Sequence, residues 1–155
     1  MADSLSKKRE LLENLLKKTQ VQAELVTGKE YEDVNWDHFN VLIGEKDIAI
    51  NNIEVLDDGF EQVFNRMRTE IDANKASYVN EIRSMQENIK AITDLGIAIQ
   101  AAEDRNRREI ERIMTKSKKE IKNAKKSLKV STSYFNSMYK NGGMAPEPSQ
   151  IDENK

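Results

Sequence analysis

Leu5, Leu12, Leu15, Thr19, Gln22 and Val26 follow one another at intervals of three, four or seven residues, the spacing that lines up side chains on one face of an α-helix. This pattern predicts a first helix over about 4–28, with Ser4 as its N-cap and Gly28 as its terminator. The polar stretch 27–35 then reads as a linker in which Tyr31 and Trp36 pack locally. A second seam runs through Phe39, Leu42, Ala49, Ile53, Leu56, Phe60, Val63 and Met67, again at intervals of three, four or seven, and predicts a helix over about 35–71. Gly44 and Gly59 each cost that helix about 1 kcal/mol relative to alanine, which its seam should outweigh.

A short break is expected at 72–77, and beyond it the pattern is the longest in the chain. Tyr78, Ile82, Met85, Ile89, Ile92, Ile99, Ile110, Ile113, Ala124, Leu128, Phe135 and Met138 predict a helix over about 76–140. At 1.5 Å per residue it is roughly 95 Å long, so the two shorter helices can cover only about half of it. Its seam changes at the middle, where Glu103, Asn106 and Ser117 occupy the repeat and are residue types that bury poorly. Residues 141–155 combine glycine, proline and acids without periodicity and read as a disordered tail. The predicted fold is therefore all-α: a single domain over 1–140, an antiparallel helical hairpin or bundle with one very long, coiled-coil-like C-terminal helix.

Composition sharpens this. The chain of 155 residues is 37% hydrophobic and 34% charged, with 6% aromatics, which suits long helices with solvated outer faces better than a thick core. Both prolines lie in the last ten residues, so nothing before them lacks a backbone N–H. With no cysteine there is no disulfide framework or thiolate nucleophile. No signal-peptide pattern and no membrane-spanning apolar run is read, so the expected location is the cytoplasm, without membrane insertion.

Charge is unevenly spread. Residues 1–77 carry 10 basic and 16 acidic side chains, and residues 78–155 carry 15 and 11, for an overall net charge of −2. The plainest reading is intramolecular, an acidic front hairpin lying against a basic rear helix. Residues 105–129 hold eleven Lys or Arg against three Glu. They lack the interleaved aromatics that stack on bases, and no nucleic-acid partner is expected.

Catalytic patterns are absent. No phosphate-binding, dinucleotide-binding, zinc-protease or nucleophile-elbow motif occurs, and the one histidine, His38, sits beside Trp36 and Phe39 at a helix start, where it reads as structural or solvated. Adjacent carboxylates such as Asp57 and Asp58 point about 100° apart on a helix and do not converge. The chain is expected to be no enzyme and to need no cofactor or metal.

What remains is the rear stripe of 122–140. Ile121, Ala124, Leu128, Ser131, Phe135 and Met138 share one helical face, with Tyr134 at its edge and Tyr139 beside Met138, and Lys122, Lys125, Lys126 and Lys129 supply positive charge around it. Either it packs as an ordinary core face, or it docks a partner helix. The shortness of the first two helices favours docking, with homodimerisation as the competitor for the same surface.

The LLENLL stretch of the first helix, the segment IGEKDIAINNIEVLDDGFEQVF at 43–64 with its D-x-G-F-like turn, and the ending KSLKVSTSYFNSMYK resemble the FlgN/FliT-type flagellar export chaperones, particularly the FlgN-like proteins of Gram-positive bacteria. Together these stretches span most of residues 5–140. The resemblance implies a small cytosolic chaperone without catalytic activity. Such proteins hold hook-associated (junction) or filament-cap subunits before export, keep them from assembling early and hand them to the export apparatus. It also implies that the C-terminal helical region binds the client, which in this chain means Leu128, Val130, Tyr134, Phe135 and Met138. A homodimeric coiled-coil scaffold is the alternative reading, and a basic arm for nucleic acid or membrane the third.

Overall fold

The computed structural model describes residues 1–142, with the side chains of Phe135 and of residues 139–142 left aside. Three α-helices carry it: α1 (Ala2–Val26), α2 (Trp36–Ala73) and α3 (Val79–Gly142), with short 3-10 turns at Tyr31–Asp33 and Lys75–Tyr78. Among the described residues there is no strand, so the fold is all-α. Asn141 and Gly142, read from the sequence as the start of a tail over 141–155, belong to α3; the remainder, 143–155, lies outside the described residues.

The chain divides into two compact units, Met1–Ile113 and Met114–Lys155. In the first, partner pairs fix the helix directions. Lys8 reaches Asp57, Lys18 reaches Glu45 and the Gln22 amide donates to the Phe39 carbonyl, so α2 numbers fall as α1 numbers rise and the two run antiparallel. Asn106 donates to the Thr19 carbonyl and Arg112 to the Lys29 carbonyl, so α1 and the front of α3 run parallel.

The helix ends follow local chemistry. Ser4 is not the N-cap of α1: the helix begins two residues earlier, Met1 holds the cap position, and the Ser4 backbone N–H instead donates to the Met1 carbonyl. At the other end Thr27 turns to extended backbone and Gly28 follows at φ +69°, the left-handed region where a side chain is strained. Asn35 caps α2 by accepting the His38 backbone N–H at 3.0 Å. Gly44 and Gly59 leave α2 continuous.

The α1 seam packs as its spacing requires: Leu5, Leu15, Thr19, Gln22 and Val26 are buried and Leu12 half-buried. Phe39, Leu42 and Ala49 are buried on α2, but Val63 is exposed, as is Ile89 on α3, although spacing puts both on the seams. The tightest apolar cluster sits at the α1–α2 turn, where Val26, Val34, Phe39 and Ile113 meet, flanked by Leu25, Trp36 and Ile110. Trp36 stacks edge-on against Phe39 at 5.8 Å and lies 5.4 Å from Tyr31, while its indole N–H donates to the Tyr31 carbonyl. The expected local packing of Tyr31 and Trp36 is thus present.

The middle of the bundle corrects the sequence reading. Asn106 is 4% exposed and Glu103 half-buried, so the seam does not lapse at those positions. They join a polar layer with Thr19, Gln22 and Lys46. The Lys46 ammonium donates to Gln22 Oε1 at 2.7 Å and to Glu103 Oε1, and the Thr19 hydroxyl sits 3.0 Å from that same carboxylate oxygen. No buried side-chain polar atom among the described residues lacks a partner. A satisfied layer of this kind avoids the desolvation penalty of orphaned groups and fixes one register of the three helices.

Candidate interaction surface

Residues 114–142 form a helix whose side chains from Lys118 to Tyr134 are all exposed. The stripe read from the sequence is therefore open. Ile121 is exposed, Leu128 is 69% exposed, Val130 68% and Tyr134 66%; Ala124, Ser131 and Met138 are exposed as well. The Phe135 side chain, also assigned to this face, lies outside the described residues. Leu128 and Met138 share one face of the helix with Tyr134 at its edge, whereas Val130, two residues after Leu128, projects from the other side.

The helix here is carried by its own backbone. Ala124 and Leu128 favour helix, and the Thr132 hydroxyl turns back to donate to the Leu128 carbonyl at 2.8 Å. Lys122, Lys125, Lys126 and Lys129 are exposed and form no ion pair among the described residues; Lys118 and Lys119 are the same. Within the first unit the described ion pairs of α1 and α2 stay inside that hairpin, apart from Lys46, which pairs with Glu103 on α3.

Within the first unit, Glu109 accepts the Gly28 backbone N–H at 3.2 Å and a hydrogen bond from Arg112. The Gly28 N–H, then the Arg112 guanidinium, hold its carboxyl below the usual carboxylate range. Tyr78 donates to Glu70 at 2.8 Å, which raises the phenol above its ordinary value. Both are structural ties at helix ends. A cavity of about 260 Å³ at the opposite end of the bundle from the Trp36 cluster is lined mainly by apolar side chains, Met67, Ile71, Ile82 and Met85 among them, with Asp3 and Glu81 also on its wall. No group of three or more His, Asp or Glu side chains among the described residues is arranged to hold a metal ion, and no described helix is long and apolar enough to cross a membrane. The His38 side chain is exposed; its backbone N–H makes the cap bond to Asn35.

Two features escaped the sequence reading. Lys46 fills the seven-residue gap between Leu42 and Ala49, and a lysine at a seam position is a signal for a buried partner such as Glu103. The outward face of α2 is the other, where Val41, Ile48 and Val55 recur at intervals of seven and are 57%, 63% and 72% exposed.

Comparison with protein-family models, with curated proteins and with solved structures finds no match to this chain.

Proposed function

We propose that this chain is a non-enzymatic, cytosolic export chaperone that holds an amphipathic segment of a flagellar hook-associated or cap subunit against residues 121–138, and that it passes the client to the export apparatus. One observation supports the docking part of this reading: Leu128 stands 69% exposed on the face it shares with Met138, with Tyr134, 66% exposed, at its edge, beside four lysines that lack ion partners among the described residues. The flagellar part rests on the resemblance of residues 43–64 and 126–140 to the FlgN/FliT-type chaperones.

The magnitudes suit a reversible holder. Four anchors, Leu128, Tyr134, Phe135 and Met138, contribute about 1.5–3 kcal/mol each on burial. Association costs on the order of 4–15 kcal/mol, so apolar contact alone nearly breaks even. Charge complementarity from Lys122, Lys125, Lys126 and Lys129 then decides affinity, and favours a client segment with acidic borders.

Titration of purified hook-associated and cap subunits into the intact chain, by calorimetry, tests the reading. Micromolar or tighter binding to one of them, weakened at least tenfold by a Leu128→Ala, Tyr134→Ala pair, is the expected result. No binding to any of them overturns the flagellar assignment.

A further inference from the structure

α2 packs through one face and, among the described residues, leaves the opposite face unpartnered. On that outer face Val41, Ile48 and Val55 form a ridge at heptad spacing, each more than half exposed. Gly44 and Gly59 lie on the same side of the helix. A Cβ added at either meets nothing within 4 Å, so no contact among the described residues uses their missing side chains. Glycine in a helix interior is unfavourable, and its use is to let another backbone come close.

Along one border of the ridge runs a row at intervals of three or four: Asp47, Asn51, Glu54, Asp58 and Glu61. Its four carboxylates form no ion pair among the described residues, unlike Glu45 and Asp57, which bind Lys18 and Lys8. From residue 37 to residue 64 there are seven carboxylates and a single Lys or Arg, Lys46, which is buried.

The rear segment carries the complement. Lys118, Lys122, Lys125 and Lys129 recur at the same intervals of four and three beside an exposed apolar stripe. Residues 114–142 hold eight lysines and one glutamate. The α2 ridge with its glycines (41–59) and the rear stripe (121–138) each extend about 27 Å at 1.5 Å per residue. Pairing α2 with a second α2 would instead set acid against acid.

We propose that the outer face of α2 is a docking surface for the basic rear segment of a second copy of this chain. Val41, Ile48 and Val55 meet the stripe of Leu128 and its neighbours, the glycines allow close approach, and the acidic row of one copy faces the lysine row of the other. This contact joins two different surfaces, so copies either pair reciprocally or add on head to tail. It does not depend on which client the rear stripe binds.

Sedimentation equilibrium of the full chain, at 5 to 200 μM and in 50 and 500 mM salt, tests it alongside two charge reversals and their combination. The intact chain should self-associate at low salt and weaken at least tenfold at high salt. Glu54→Lys, Asp58→Lys, Glu61→Lys should weaken association at least tenfold at unchanged helicity, and Lys122→Glu, Lys125→Glu, Lys129→Glu should do the same. The chain carrying both sets should associate within about threefold of the parent, because the row-to-row attraction is restored. A monomer at every concentration, or an oligomer that neither reversal weakens, overturns the proposal; so does weakening that the combined reversal leaves uncorrected. Client titration with the α2 reversal keeps the two proposals apart, since that variant retains the whole rear stripe.

Discussion

The Nζ of Lys46 donates to Oε1 of Glu103 and so ties α2 to α3 across 57 residues of sequence. The Lys46 side chain is 11% exposed and that of Glu103 41%. The lysine is therefore the member with most to lose. Gln22 shares its protons and Thr19 approaches the same carboxylate, so the pair sits inside a network rather than alone.

Glu103→Leu should destabilise the fold by about 1–3 kcal/mol, because it leaves the Lys46 charge buried with only the Gln22 carbonyl oxygen. The cost stays below that of breaking a fully buried pair, since water reaches Glu103. Replacing both, Lys46→Leu with Glu103→Leu, should cost less than the sum of the two single changes. Urea denaturation of the four chains of this cycle measures the coupling. A coupling near zero removes the pair from the forces that set the bundle's register.

How much of this is legible in the sequence depends on residue type. Spacing alone locates all three helices, since Leu5, Leu15, Phe39, Leu42 and Ile113 announce their faces. It also puts Thr19 and Gln22 correctly on the α1 seam, yet it marks Glu103 and Asn106 as the end of burial. The error is physical. A charged residue at a seam position buries readily when an opposite charge from another helix meets it, and a pattern read one helix at a time contains no such partner. Val63 and Ile89 fail the other way: both fit the seam by spacing, yet they stand open. The rear stripe is legible as a repeat at helical spacing, and Leu128 and Met138 on it are exposed.

Glycine positions give opposite predictions for one substitution. Gly44→Ala and Gly59→Ala should each stabilise the isolated chain by about 0.5–1 kcal/mol, because both lie within α2 and a Cβ there meets open space. Gly28→Ala should destabilise it by about 1 kcal/mol, because its φ of +69° is strained for alanine. Chemical denaturation at low concentration and high salt reads all three. A destabilising Gly44→Ala under those conditions contradicts the open space around it.

Glu109 gives a pH dependence. Its carboxyl is lowered in the folded chain, first by the Gly28 N–H and then by Arg112. A lowered carboxylate contributes stability that is fully present above its unfolded value and is lost as pH falls through the folded one. The stability difference between the parent and Glu109→Gln should thus be small and favourable to the parent at pH 7, and shrink below about pH 4.5. Thermal melts from pH 7 to pH 3 check it, and a difference that grows towards low pH has the wrong sign.

The lysines of 116–129 raise the question of nucleic acid. Binding through phosphates would show a steep salt dependence, with a slope near −0.9 per phosphate contact. The expected outcome is no specific complex with duplex DNA at physiological ionic strength, checked by fluorescence anisotropy. A sub-micromolar, salt-steep complex would redirect the function of the rear segment.

The same rear segment separates a docking face from a core face through stability. If Leu128 and Tyr134 were core, truncating them would cost several kcal/mol, as large-to-small changes in packed interiors do. Their exposures of 69% and 66% leave little packing to lose. Leu128→Ala and Tyr134→Ala should therefore each leave stability within about 0.5 kcal/mol, the range of ordinary surface substitutions. The same changes should weaken client binding by about 1–2 kcal/mol each, since exposed aromatic and aliphatic anchors are where binding energy concentrates. Melting temperature and client titration on the same samples make the comparison direct. A large fall in melting temperature with binding unchanged per folded molecule assigns the stripe to the core. A loss of self-association with client binding intact assigns it to the second copy.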